Sequence, residues 1–249
     1  MKFTLLILMT CLLAGCVTET STRQEPAGSA SELLQKQLDL GVGYLRQGDY
    51  QRAKDKLNRA LEIDPKNAAV HATFGVLFQL EGERELAERY FKSAVKFDPD
   101  SAQARNSYGA FLFSQKRYGE AVEQLKKASE NRFYTNRPTV FENLGVAYVR
   151  MGDLESADYA FSRAIQLTPD QARALLELAE IRFQQRKYVE SRELFARHSR
   201  NAPSTAKRLW LCIRLARVFG NDNEEASCAE ALEGIFPASN EYRLFKEST

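Results

Sequence analysis

Two stretches of this chain align without a gap at an offset of 34 residues: LGVGYLRQGDYQRAKDKLNRALEIDPKN from Leu40 and FGVLFQLEGERELAERYFKSAVKFDPDS from Phe74. A unit this short cannot bury an apolar face by itself, so the copies must stack and the core must run along the stack. The marks return in YGAFLFSQKRYGEAVEQLKKASENRF from Tyr108 and LGVAYVRMGDLESADYAFSRAIQLTPDQ from Leu144, with weaker copies beyond. The chain is therefore an array rather than a domain with one central core.

These marks resemble the tetratricopeptide repeat, a helix-turn-helix unit. The resemblance puts the small residue of the first helix at Gly41, Gly75, Gly109, Gly145 and Ala179. Three positions later stand Tyr44, Phe78, Leu112, Tyr148 and, exceptionally, Arg182. In the second helix the alanine position holds Ala53, Ala87, Ala121, Ala157 and Ser191, followed by Leu57, Phe91, Leu125, Phe161 and Phe195. Gly48, Gly82, Gly152 and Gly220 are expected to end first helices in the left-handed conformation. Pro65, Pro99, Pro169 and Pro203 are expected to end second helices, because proline lacks the N–H that an interior turn needs. The fold expected is an all-α right-handed superhelix of six repeats, near 34–67, 68–101, 102–135, 138–171, 172–205 and 206–239, within a domain at 32–249. Repeat three has Phe133 in place of proline, and YTNRP adds two residues before repeat four, so an irregular junction is expected there. Repeat six blurs the alanine pattern, as an end cap does.

The first residues carry a different message. Lys2 and the apolar run Phe3 to Leu13, too short to span a bilayer, read as an export signal over residues 1–15. Leu13-Ala14-Gly15-Cys16 resembles the bacterial lipobox, which implies cleavage before Cys16 and acylation of its thiol. With Val17 rather than aspartate next, the resemblance implies the outer membrane, facing the periplasm. Residues 16–31 hold six Ser/Thr, one Pro and one Gly, and read as a lipidated flexible tether with a span of roughly 20 Å. Cys11 leaves with the signal.

Composition narrows the function by exclusion. The formal charge of +2 falls to +1 once Lys2 is removed, so no basic field argues for nucleic acid or anionic lipid as a partner. His71 and His198 have no cysteine or carboxylate at the spacing of a helical metal site. No phosphate loop or nucleophile elbow occurs. No cofactor, metal or catalytic residue is assigned, and the chain is read as a monomeric binding module. Cys212 and Cys228 flank Gly220 symmetrically, so two antiparallel helices would set them at matching heights. An oxidising periplasm permits a disulfide, although two buried thiols also fit.

By the offsets of the repeat family, the concave side takes Leu38, Val42 and Leu45 from repeat one and Ala72, Val76 and Gln79 from repeat two. Repeat three gives Asn106, Ala110 and Phe113; repeat four gives Glu142, Val146 and Val149. The Lys and Asn residues with which chaperone-binding relatives clamp a peptide carboxylate are replaced by Leu38, Val42, Ala72 and Val76. An apolar groove suits an amphipathic helix or apolar strand, while each of these side chains also suits simple packing between helices.

Lipobox, tether and six repeats with an apolar groove are together similar to the type IV pilus biogenesis lipoproteins of the PilF/PilW family, often called pilotins. The resemblance implies a secretin as partner, whose outer-membrane localisation and multimerisation the lipoprotein assists. A general periplasmic adaptor for envelope or peptidoglycan assembly shares the anchor and the repeats. An enzyme built from the irregular loops is the third class.

Overall fold

The computed structural model describes residues 27–199 and 203–248. Among these residues there are thirteen helices and no strand. Paired in order, the first twelve make six helix-turn-helix units: α1 Ala27–Arg46 and α2 Tyr50–Ile63, α3 Ala68–Leu80 and α4 Arg84–Phe97, α5 Ala102–Ser114 and α6 Tyr118–Glu130, α7 Arg137–Met151 and α8 Leu154–Leu167, α9 Ala172–Gln184 and α10 Tyr188–Ser199, α11 Ala206–Phe219 and α12 Asp222–Ile235. A short α13, Asn240–Glu247, follows.

Each pair closes because a missing side chain faces a large one. A methyl group added to Gly41 would stand 2.8 Å from Leu57 Cδ2, and one on Gly75 2.7 Å from Phe91 Cδ1. The same holds for Gly109 against Leu125 at 2.7 Å and Gly145 against Phe161 at 2.6 Å. All four partners are fully buried, so the glycines let two helix backbones approach across a single apolar side chain. Arg182, the outlier among the large first-helix residues, instead pairs with Asp158 on α8 and with Glu190 on α10. First helices of successive units through α9 pack on one another, whereas no pair of second helices packs comparably. The stack therefore curves with its first helices inside.

The turns explain the Gly-Asp dipeptides. Gly48, Gly152 and Gly220 take positive φ and end their helices, and the next residue caps the following helix: Asp49 accepts from the Arg52 N–H and Asp153 from that of Ser156, each at 3.0 Å. Asn221 does the same for Glu224 at 3.2 Å. Units three and five make the same turn without glycine, and Lys116 and Arg186 are held at φ 62° and 60°. A side chain in this region is strained. Lys116→Gly is expected to raise stability by about 0.5–1 kcal/mol, the strain relieved less the entropy that glycine adds to the unfolded chain. A urea titration of both proteins measures it.

Two features depart from the sequence-based expectations, at the start of α1 and at the cap of the array, and a third meets them. Helix α1 begins at Ala27, so residues 27–31, expected in the tether for their Ser and Gly content, are helical. Residues 27–31 continue a helix that Leu34 and Leu38 dock against α2 and α3. The junction before α7 is irregular in the expected place: residues 131–136 form a six-residue link where units one, two and four use four, and Phe133 is 97% exposed. Last, the cap of the array is not unit six alone, because α13 lays Tyr242 and Phe245 over Leu209, Ile213 and Leu232. Tyr242 donates to Glu233 at 2.7 Å, and Arg217 sits over the Phe245 ring and donates to Ser248 at 2.8 Å.

Cys212 on α11 and Cys228 on α12 are joined in a disulfide, their Cα atoms 6.3 Å apart, 16 residues apart in sequence. A bridge over so short a loop stabilises by roughly 3 kcal/mol in the chain-entropy model. Cys228→Ser is expected to lower the unfolding free energy by about that amount, and thiol titration of the unreduced wild-type protein should find neither cysteine reactive.

Candidate protein-binding groove

The inner surface of the array changes character along its length. Between α1, α3 and α5 lies a cavity of about 330 Å³ walled by Val42, Leu45, Ala72, Val76 and the half-exposed Leu80. Thr73 lines it too, its hydroxyl satisfied by donating to the Ala69 carbonyl at 2.8 Å. Gln103 and Ser107 on α5 and Arg46 at the end of α1 supply the polar edge. An apolar recess with a few polar groups at its margin is what a pocket for an apolar side chain requires.

The structure separates the other residues assigned to the groove. Leu38 is core, 7% exposed among Ala53, Leu57 and Phe74, because it faces α2 and α3 rather than the inner surface. Asn106 accepts a hydrogen bond from Asn143 at 3.1 Å, a polar link between α5 and α7. Phe113 packs on Tyr118, ring centroids 5.2 Å apart, while Val146 and Val149 lean on the core cluster of the middle units. Gln79 is half-buried and lies outside the cavity, and Ala110 is exposed. Glu142 is buried, accepting from Gln171 at 2.8 Å with Arg173 3.8 Å away. Four of the assigned residues, Val42, Leu45, Ala72 and Val76, thus come together. Leu80, Thr73, Gln103, Ser107 and Arg46 line the cavity without being among the expected residues, although Leu80, Gln103 and Ser107 flank expected positions by one to four residues.

Further along, the positions equivalent to Val42 and Val76 hold Glu180 and Arg214. Arg214 donates to both carboxylate oxygens of Glu180, at 2.9 and 2.5 Å, with the rings of Phe183 and Trp210 at 4.7 and 5.2 Å. Lys207 reaches Glu177 at 2.6 Å. These charges satisfy one another, so the C-terminal half of the inner surface has little left to offer an apolar partner, and the N-terminal cavity is the open site. Nor does a reactive centre emerge elsewhere among the described residues: His198 is buried with Nδ1 2.9 Å from the Ala172 carbonyl, and burial holds its pKa below the usual histidine value. His71 hydrogen-bonds through Nε2 to the Pro65 carbonyl. No group of three or more potential metal ligands occurs among the described residues.

Comparison with known proteins agrees with the repeat architecture. Tetratricopeptide repeat families match residues 44–106 and 143–206. The type IV pilus assembly protein PilF of Pseudomonas aeruginosa is 37% identical over 245 residues, spanning 97% of this chain and 96% of its own. The chain belongs to the PilF family. A solved structure of P. aeruginosa PilF superposes with a TM-score of 0.85 at 36% identity, covering 89% of this chain and all of that one. PilW, described as a widely conserved type IV pilus biogenesis factor, superposes with a TM-score of 0.72 at 25% identity, covering 86% of this chain and 99% of its own. This PilF-family chain is accordingly a repeat protein of type IV pilus biogenesis that works through protein contacts, and not an enzyme.

Proposed function

We propose that the protein is a pilotin: a lipid-anchored periplasmic lipoprotein that takes an apolar segment of the pilus secretin into the Val42–Val76 cavity and brings it to the outer membrane for multimer assembly. The observation that carries the reading is the concentration of open apolar surface in the first three units, beside a C-terminal half whose charges are self-paired. Family membership supplies the pilus context. The anchor rests on Cys16, and the export signal and lipobox lie outside the described residues. No described helix is long and apolar enough to cross a membrane. Deleting the gene is expected to abolish heat-resistant secretin multimers and twitching. Intact multimers in the deletion strain would turn the reading toward a general envelope adaptor.

The anchor has its own test. One acyl chain binds a membrane marginally, but the three of a mature lipoprotein hold it permanently. Cys16→Ala is therefore expected to move essentially all of the protein from the outer-membrane fraction to the soluble periplasm. Retention of the variant in washed membranes would show that something other than acylation holds it.

A further inference from the structure

The two-residue insertion between units three and four has a chemical consequence on the outer side of the stack. In units two and three, His71 and Arg105 bond the Pro65 and Pro99 carbonyls at 2.9 and 2.6 Å and so tie the link to the first helix. Phe141 occupies that position in unit four and cannot hydrogen-bond. The link is secured instead by Arg137, whose Nε donates to the Ser129 carbonyl at 2.7 Å while its guanidinium lies 5.2 Å from the Phe141 ring centroid. The result is a recess of about 670 Å³ between α6 and α8 with α7 beneath it. Phe141, Leu144 and Ala160 form its floor, and Tyr148 and the 64% exposed Tyr159 its walls.

The rim is as selective as the floor. Lys126, Arg132 and Arg137 stand around the opening against a single carboxylate, Glu130, in a chain whose charges otherwise nearly cancel. Neither Lys126 nor the two arginines enters an ion pair among the described residues. We propose that this recess is a second docking site, which takes an acidic peptide segment bearing one aromatic or aliphatic anchor. The anchor fills the aromatic recess and the flanking carboxylates meet Arg132 and Arg137, whose planar guanidinium groups suit carboxylate pairing. A flat anionic lipid surface would reach the rim but leave the floor unfilled. The recess opens between second helices, away from the Val42–Val76 cavity, so both sites can be occupied together and the protein can bridge two partners.

A random dodecapeptide display library, panned on the purified full-length protein and counter-selected with the Lys126→Glu/Arg132→Glu double variant, tests the assignment. Both side chains are exposed, and unchanged helix content by circular dichroism confirms the fold. Clones that need the wild-type rim are expected to converge on Asp and Glu around one Phe, Tyr or Leu. Synthesised peptides from such clones should bind the double variant about tenfold more weakly or worse by fluorescence polarisation, the worth of one charge-assisted pair. They should bind the Val76→Glu variant as they bind wild type. The proposal is overturned if no clone distinguishes wild type from the double variant, if those that do lack acidic residues, or if Val76→Glu removes their binding. It is also overturned if phosphatidylglycerol vesicles bind in a rim-dependent way while no peptide does.

Discussion

Phe161→Ala is expected to lower the unfolding free energy by about 3–5 kcal/mol, the usual cost of emptying a fully buried phenylalanine site. Phe161 is closed to solvent and lies in the apolar cluster that runs from Ala102 to Ile181 and joins units three, four and five. Its loss opens a cavity in the middle of the array, where neighbours on both sides depend on the contact. The melting temperature should fall on the order of 10 °C for a chain of this size. The reciprocal change makes the physics explicit: Gly145→Ala drives a methyl group to 2.6 Å from the Phe161 ring, an overpacking of about 1–3 kcal/mol. In a Phe161→Leu background the added methyl should cost less, and the coupling of a double-mutant cycle measures the contact. Unit five carries the methyl natively, with Ala179 opposite Phe195, and there the phenylalanine keeps 8% exposure.

The units with the strongest signal were those in which chemistry leaves no choice. Glycine opposite Leu57, Phe91, Leu125 or Phe161 is a steric requirement, and glycine at a helix end supplies a backbone angle that side chains resist, so both can be seen in sequence. What stayed hidden has equally physical reasons. Lys116 and Arg186 take the left-handed angle because the stack around them imposes it, and no local preference announces that. Helix α13 has no counterpart in the repeat and exists because unit six leaves Leu209, Ile213 and Leu232 to be covered. In the groove, the offsets located Val42, Leu45, Ala72 and Val76, but Leu38 shares their apolar character and faces the core. Periodicity identifies a helix face more readily than it distinguishes solvent from a neighbouring helix. The ion pair of Arg214 with Glu180 acquires its meaning only when the two residues are placed on adjacent helices.

Val76→Glu carries the largest expected functional effect. Val76 is half-buried in the cavity wall, and an empty cavity open to water lets a glutamate there stay hydrated at small cost to the fold. Once an apolar segment covers it, the carboxylate loses water with no counter-ion, a cost of several kcal/mol. At about 1.4 kcal/mol per tenfold change, affinity should fall by roughly 100-fold or more. Arg46 at the cavity edge supplies an internal control, since Arg46→Gln should change binding only slightly if the contact is apolar, and added salt should matter little.

The most direct measurement is therefore the amount of heat-resistant secretin multimer in cells whose only copy of the gene encodes Val76→Glu or Val42→Glu, with membrane fractionation and circular dichroism of the purified variants alongside. Folded, membrane-anchored variants with multimers reduced to the level of the gene deletion are the expected result. Folded and anchored variants that support wild-type multimer levels would contradict a secretin site in this cavity.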